Sequence, residues 1–296
     1  MYKLIVMDLD GTLLNSYGEV SQEDKEAIQE AMNRGIDVVL ASGRVSDSVK
    51  NLSNELGIKN YFIAGNGTIV YDIKKDEIVY ERFIERKKVL KIIKMCEENS
   101  IYYNLYTENE TIAKSLNYNI LFYNYENSKK ADDKKTKITL IDDIYEYVER
   151  NKDVNVAKIT VCDSNKIIFD RILEKIKKNV SGINILNVSH MASKIIYIGT
   201  EQKKLEYYFT EVSKKDTNKW EAIKYILDKK QIKPEEVLAI GDNSNDKEMI
   251  ENAGLGIVMK KSALEAKKIG DYITKSNNES GVAHAIKKYI LQEDYN

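Results

Sequence analysis

Near the N-terminus the apolar positions fall in short unbroken runs, with amphipathic stretches between them. Leu4–Met7 is apolar throughout, the pattern of a strand buried on both faces of a sheet. Ser21-Gln22-Glu23-Asp24 reads as a capping box that opens a helix. Ala27, Ile28, Ala31 and Met32 share one face of that helix, and Gly35 stops it. Ile36–Ala41 predicts a second buried strand, and Val45–Leu56 a second helix closed by Gly57. Tyr61–Ala64 and Thr68–Tyr71 flank Asn66-Gly67, a tight hairpin signal. Alternating strand and helix predict a parallel sheet with helices on both faces.

The C-terminal part repeats this grammar. A helix around Lys219–Leu227 leads to a strand at Val237–Ile240, a helix at Asp246–Asn252, a strand at Leu255–Met259 and a last helix near Val282–Leu291. The middle differs, being rich in Tyr, Asn and Lys. It predicts strands such as Ile101–Tyr106 and Ala157–Val161, with helices near Val89–Glu97, Ile141–Val148 and Ile167–Lys178. Lys129–Lys137 is a charge run and reads as a solvated loop. The expected fold class is therefore α/β: a Rossmann-like, doubly wound parallel-sheet core built from residues 1–82 and 214–296. An α+β domain, residues 83–213, is inserted into it.

Composition narrows what such a chain can do. With 46 basic and 47 acidic side chains among 296 residues, it lacks the basic excess of a nucleic-acid binder. One local positive cluster would still suffice for a small anionic substrate. No apolar run approaches the ~18 residues of a membrane span. Asp8 and Asp10 interrupt Leu4–Met7 too early for a signal-peptide core, so a cytoplasmic location is expected. Cys96 and Cys162, and likewise His190 and His284, lie far apart, which points to structural roles and away from zinc.

Three predicted strands end in a polar group: Asp8, Ser42 and Asp242. Open parallel sheets bind ligands beyond the carboxyl ends of their strands, so neighbouring strands would bring these groups to one cleft. Two carboxylates two residues apart, as in Asp8-Leu9-Asp10, repel unless a cation or proton lies between them. Magnesium is a hard cation suited to such oxygens, and Gly11 lets the chain turn out of the strand. A bare acidic turn after a strand is the competing explanation.

Four stretches in order decide between them. Asp8-Leu-Asp-Gly-Thr-Leu13, Ala41-Ser-Gly-Arg44, a later lysine and Gly241-Asp-Asn-Ser-Asn-Asp246 resemble the motifs of the haloacid dehalogenase superfamily. Their spacing, and the tail Gly281–Ile286 preceded by Asn277 and Asn278, resemble its Cof-type phosphatase branch. The stretch from Asp10 to Ser21 is too short for a cap domain, so the resemblance implies an α+β cap of the C2 type at residues 83–213.

The resemblance also implies roles. Asp8 would be the nucleophile that forms an aspartyl-phosphate. Asp10 would be the general acid and base; an aspartate there implies fast hydrolysis, whereas the related cation-pumping ATPases carry threonine. Magnesium would be held by Asp8, Asp242 and the Asp10 carbonyl. Ser42 would donate its hydroxyl to a phosphoryl oxygen, with Gly43 in the same phosphate-binding turn. Lys219 best matches the family's lysine; Lys214 and Lys215 read as solvated. Asn245 would bind the phosphoryl group or the lysine, and Asp246 the lysine or a metal-bound water. Asn243 and Ser244 read as helix-capping residues. Arg44 adds charge near the cleft or is a surface arginine at a helix start. Asn66 faces the substrate or merely makes its turn. Departures from the branch are Asn218 and Trp220 around the lysine, and Val258-Met-Lys-Lys-Ser262.

The implied function is magnesium-dependent hydrolysis of a small phosphoester, a sugar phosphate or phosphorylated cofactor, without nucleic-acid or membrane partners. A phosphotransferase like the phosphomannomutases shares the chemistry up to the aspartyl-phosphate. A non-catalytic module of the same fold is the rival from another class. Val188–Lys194 and Gly199–Lys204 are expected to be loops near the cleft.

Overall fold

A computed structural model describes residues 1–130, 135–186 and 191–292. His190, the centre of the charge run and the start of the expected Val188–Lys194 loop lie outside them. The chain divides into two compact units, Met1–Glu81 with Asn218–Asn296, and Arg82–Thr217.

The first unit is an eight-stranded sheet. Its order is Tyr272–Ile273, Leu255–Val258, Val237–Gly241, Leu4–Met7, Asp37–Ala41, Tyr61–Ala64, Ile69–Asp72 and Glu77–Glu81. The first six strands run parallel; Ile69–Asp72 runs antiparallel to them and Glu77–Glu81 antiparallel to Ile69–Asp72. Leu4, Ile5, Val6 and Met7 are fully buried. Each such side chain contributes about 1.5–3 kcal/mol of transfer free energy, which fixes this strand at the centre. Chain order runs outward from it in both directions, so the switch point lies at its carboxyl end.

Helix termini follow the sequence closely. Ser21 caps Gln22–Asn33, its Oγ accepting from the Asp24 amide at 3.1 Å. Asp24 is itself buried and accepts from the Ala283 amide at 2.6 Å, tying this helix to the start of Gly281–Ile286. The Asn66-Gly67 turn spans four residues, Gly65 to Thr68, with φ of 57° at Asn66 and 96° at Gly67. Positive φ at both central residues is what a type I′ turn requires.

The second unit is a mainly antiparallel sheet of Ile183–Ile185, Glu201–Lys214, Lys158–Asp163, Tyr102–Tyr106, Thr111–Ala113 and Ile138–Leu140, with Ala192–Ile198 paired to Glu201–Lys214. Tyr103, Leu105, Ile112, Ile159, Val161 and Val212 form its apolar face. Arg86–Glu98, Ile144–Arg150 and Lys166–Asn179 pack on that face through Val89, Ile92, Ile93, Val148, Ile172 and Ile176.

Two readings of this region need correction. Lys194 lies within a strand, and of Gly199–Lys204 only Gly199 and Thr200 form the turn, the rest continuing the long hairpin. The helix Tyr118–Asn127 was not foreseen. Its inward residue Asn119 is polar and donates to Asn104 Oδ1 at 3.0 Å, so no apolar stripe marks it. Among the described residues no helix is long and apolar enough to cross a membrane.

Candidate active site

Val237–Gly241, Leu4–Met7 and Asp37–Ala41 are adjacent in the sheet, so their ends carry Asp242, Asp8 and Ser42 side by side. Carboxylate oxygens of Asp8, Asp242 and Asp246 lie within 4.8 Å of one another. Lys219 opens the helix Lys219–Lys230 and is fully buried between them. Its Nζ donates to Asp8 Oδ1 and, at 2.6 Å, to Asp246 Oδ1. Of the candidate lysines this one alone enters the cluster; Lys215 is exposed and Lys214 half-buried.

Asp246 organises the group. Its Oδ2 accepts from the backbone amides of Asp242 at 3.0 Å and Asn243 at 3.1 Å, so both oxygens are engaged. Thr12, to which the sequence reading gave no role, is fully buried and donates to Asp242 Oδ1 at 3.0 Å. Its place one residue after Gly11 in the first motif was the available signal. Gly11 has φ +89°, and a Cβ there would stand 2.4 Å from Asp242 Oδ2. Only glycine allows this approach.

Two buried carboxyls, Asp8 and Asp246, and the half-buried Asp242 against one ammonium leave an excess of negative charge. Burial pushes the Asp8 carboxyl well above its usual range; Lys219 pulls it down, and Asp246 and Asp242 push it up again. Asp242 is pushed up to about 6 by burial and then by Asp246. Burial disfavours the Lys219 ammonium, but Asp246 and Asp8 more than reverse this and hold it protonated. Lys219 and Thr12 each engage only one oxygen of Asp8 and Asp242. An all-oxygen donor set with surplus negative charge fits a hard divalent cation such as magnesium.

The remaining residues form two neighbourhoods. Ser42 is buried; its Oγ accepts from the Arg44 amide at 3.2 Å, and its carbonyl accepts from the Asn66 amide at 2.9 Å. Asn66 Oδ1 accepts from Asn245 Nδ2 at 3.0 Å, and a Cβ on Gly43 would stand 2.9 Å from Asn66 Oδ1. Asn66 therefore belongs with Ser42, Gly43 and Asn245. Asp10 turns outward, its side chain 61% exposed, and pairs with Arg44. Asn243 is an exposed capping residue whose Oδ1 accepts from the Ser244 amide at 2.8 Å. Asn277 donates to the Leu14 carbonyl at 2.8 Å and Asn278 bonds Ser16, so the tail fastens the loop after the first motif. Lys260 and Lys261 are exposed.

Cys96 and Cys162 are buried free thiols, and burial pushes both up, Cys96 to about 12. His284 stacks on Tyr272, and burial followed by Lys275 and Lys288 pulls its ring down.

Comparison with known proteins agrees with this geometry. A model of the haloacid dehalogenase-like hydrolases matches residues 5–286. The chain is 30% identical to the phosphatase YwpJ of Bacillus subtilis over 97% of its own length and 100% of the relative's. It is 27% identical to the 5-amino-6-(5-phospho-D-ribitylamino)uracil phosphatase YcsE of the same organism, over 98% and 96%. A solved haloacid dehalogenase-like hydrolase of Bacillus subtilis superposes with a TM-score of 0.78 at 26% identity, covering 97% of this chain and 100% of that one.

Proposed function

Because the chain belongs to the haloacid dehalogenase-like hydrolases and is a phosphoric monoester hydrolase, we propose that it moves the phosphoryl group of a small phosphorylated metabolite first onto Asp8 and then onto water, with magnesium as cofactor. The observation that carries the reading is the cluster of buried Asp8, Lys219 and Asp246 with half-buried Asp242, beside Ser42 at the switch point of the sheet.

In the first step an Asp8 oxygen bonds to phosphorus as the ester P–O bond breaks, and Asp10 gives its proton to the departing oxygen. In the second, Asp10 takes a proton from water as that water bonds to phosphorus. The Asp8–phosphorus link then breaks, returning the carboxylate and releasing phosphate. Lys219, Ser42, Gly43 and Asn245 hold phosphoryl oxygens, so charge developing there meets groups already in place. Asp8, Asp242 and the Asp10 carbonyl would hold magnesium, which when bound offsets the repulsion between two anions. Asp246 keeps Lys219 and the Asp242 backbone where this requires them.

The substrate class is a sugar phosphate or a phosphorylated cofactor or its precursor. The similarity to the ribitylaminouracil phosphatase favours a phosphorylated polyhydroxylated compound. Choice of leaving group is assigned to the inserted segment, residues 83–213. Buried free thiols fit a cytoplasmic location.

The test is hydrolysis of p-nitrophenyl phosphate by the purified protein, with and without magnesium, and by Asp8→Asn. Magnesium should be required and Asp8→Asn should lower turnover at least about 10³-fold. Phosphate should appear with water as sole acceptor. Full activity of Asp8→Asn, or turnover indifferent to magnesium and chelator, would refute the reading.

A further inference from the structure

Arg44 holds Asp10 by both oxygens. Nε donates to Oδ2 at 2.9 Å and Nη2 to Oδ1 at 2.6 Å. We propose that Arg44 is a positioning residue for Asp10, fixing the direction in which that carboxylate meets the water that hydrolyses the aspartyl-phosphate. The inference rests on the roles given above to Asp8 and Asp10.

Asp10 needs such fixing. It stands on a turn past the strand end with a largely exposed side chain, and among the described residues Arg44 is the only hydrogen-bond partner of its carboxylate. A single contact would leave the group free to rotate. Two parallel bonds from a planar guanidinium fix both its place and its plane. Arg44 is anchored in turn. Its amide donates to Ser42 Oγ at 3.2 Å, its carbonyl accepts from the Gly65 amide at 2.9 Å, and Nη1 reaches Ser48 Oγ at 3.4 Å. Asp10 is thereby referenced to the same turn that sets Ser42. An ionised carboxylate has about four acceptor sites, and the fork uses two, leaving room for a water.

The second step needs this direction more than the first does with a good leaving group. p-Nitrophenolate departs without a proton, whereas water must lose one to Asp10 as its oxygen bonds to phosphorus. Weakening the fork leaves the base present but misdirected, so the aspartyl-phosphate accumulates.

Rapid mixing of the full chain with p-nitrophenyl phosphate and magnesium tests this, comparing the unaltered protein with Arg44→Lys, Arg44→Gln and Asp10→Asn. Both Arg44 variants should release about one equivalent of p-nitrophenolate in a burst, then turn over about 10–100-fold more slowly, with KM falling alongside kcat. Lysine keeps the charge but not the fork. An Arg44→Lys protein with unaltered turnover and no burst would show that charge alone suffices and would overturn the proposal. So would a rise in KM at constant kcat, which would place Arg44 on the substrate. Asp10→Asn separates the premises: if its steady-state rate is undiminished, the role given to Asp10 fails and the inference with it.

Discussion

At the scale of single residues, the site is a problem of charge held out of water. Asp8, Asp242 and Asp246 share one ammonium, and the imbalance shows in Asp242, raised from an ordinary 3.8 to about 6 by burial and then by Asp246. In the metal-free protein the folded state therefore binds this proton more tightly than the unfolded chain does. Stability is greatest below about pH 4 as far as this group is concerned, and falls as pH rises towards about 6. Magnesium needs the ionised carboxylate, so the dependence reverses for binding. The magnesium concentration giving half-maximal activity should rise as pH drops below about 6, by about tenfold per unit for one displaced proton. Titrating magnesium against activity from pH 5 to 7.5 measures this. A half-maximal concentration constant across that range would exclude Asp242 as a ligand that must first ionise.

At the scale of elements, the helix Lys219–Lys230 shows how a departure from a family pattern is accommodated. Asn218 is its N-cap, Oδ1 accepting from the Glu221 amide at 2.9 Å. The Asn66-Gly67 turn lies against this cap: a Cβ on Gly67 would stand 2.0 Å from the Asn218 carbonyl. The glycine that permits close approach is thus in the facing turn, while Trp220 packs into the apolar cluster under the sheet. Asn218→Ala should cost about 1 kcal/mol and lower the thermal midpoint by about 2–4 °C. Asn218→Ser should keep most of the stability. Calorimetry on the two variants decides it, and equal midpoints would show that the side chain does not cap. Legibility varied along the chain for similar local reasons. Ser21 signals its helix by capping and accepts from an amide in the first turn. Asp143 and Asn165 do the same for Ile144–Arg150 and Lys166–Asn179, although the expected helix from Ile141 places Asp143 inside it. The helix Tyr118–Asn127 carries no such bond at Asn117 and buries Asn119, so neither cap nor stripe announced it.

At the scale of the whole molecule, Arg82–Thr217 is continuous in sequence and has its own apolar cluster, whereas the other unit is assembled from both ends of the chain. Residues 82–217 expressed alone should fold with a cooperative thermal transition, monitored by circular dichroism; a broad, non-cooperative melt would show that its core is insufficient. Six of the eight strands of the first unit and the carboxylates Asp8 and Asp242 at two of their ends were determined by the sequence, because apolar runs, glycines and capping residues act over a few neighbours. The resemblance in Asp8–Leu13, Ala41–Arg44 and Gly241–Asp246 was legible for the same reason. Glu77–Glu81, Tyr272–Ile273 and the order of the strands across the sheet were not. Only tertiary structure decided that Lys219 bridges Asp8 and Asp246, that Thr12 supports Asp242, that Asn66 reaches Asn245 and that Arg44 grips Asp10. Those pairings join residues far apart in the chain, and the burial and charge that select them exist only once the strands lie side by side.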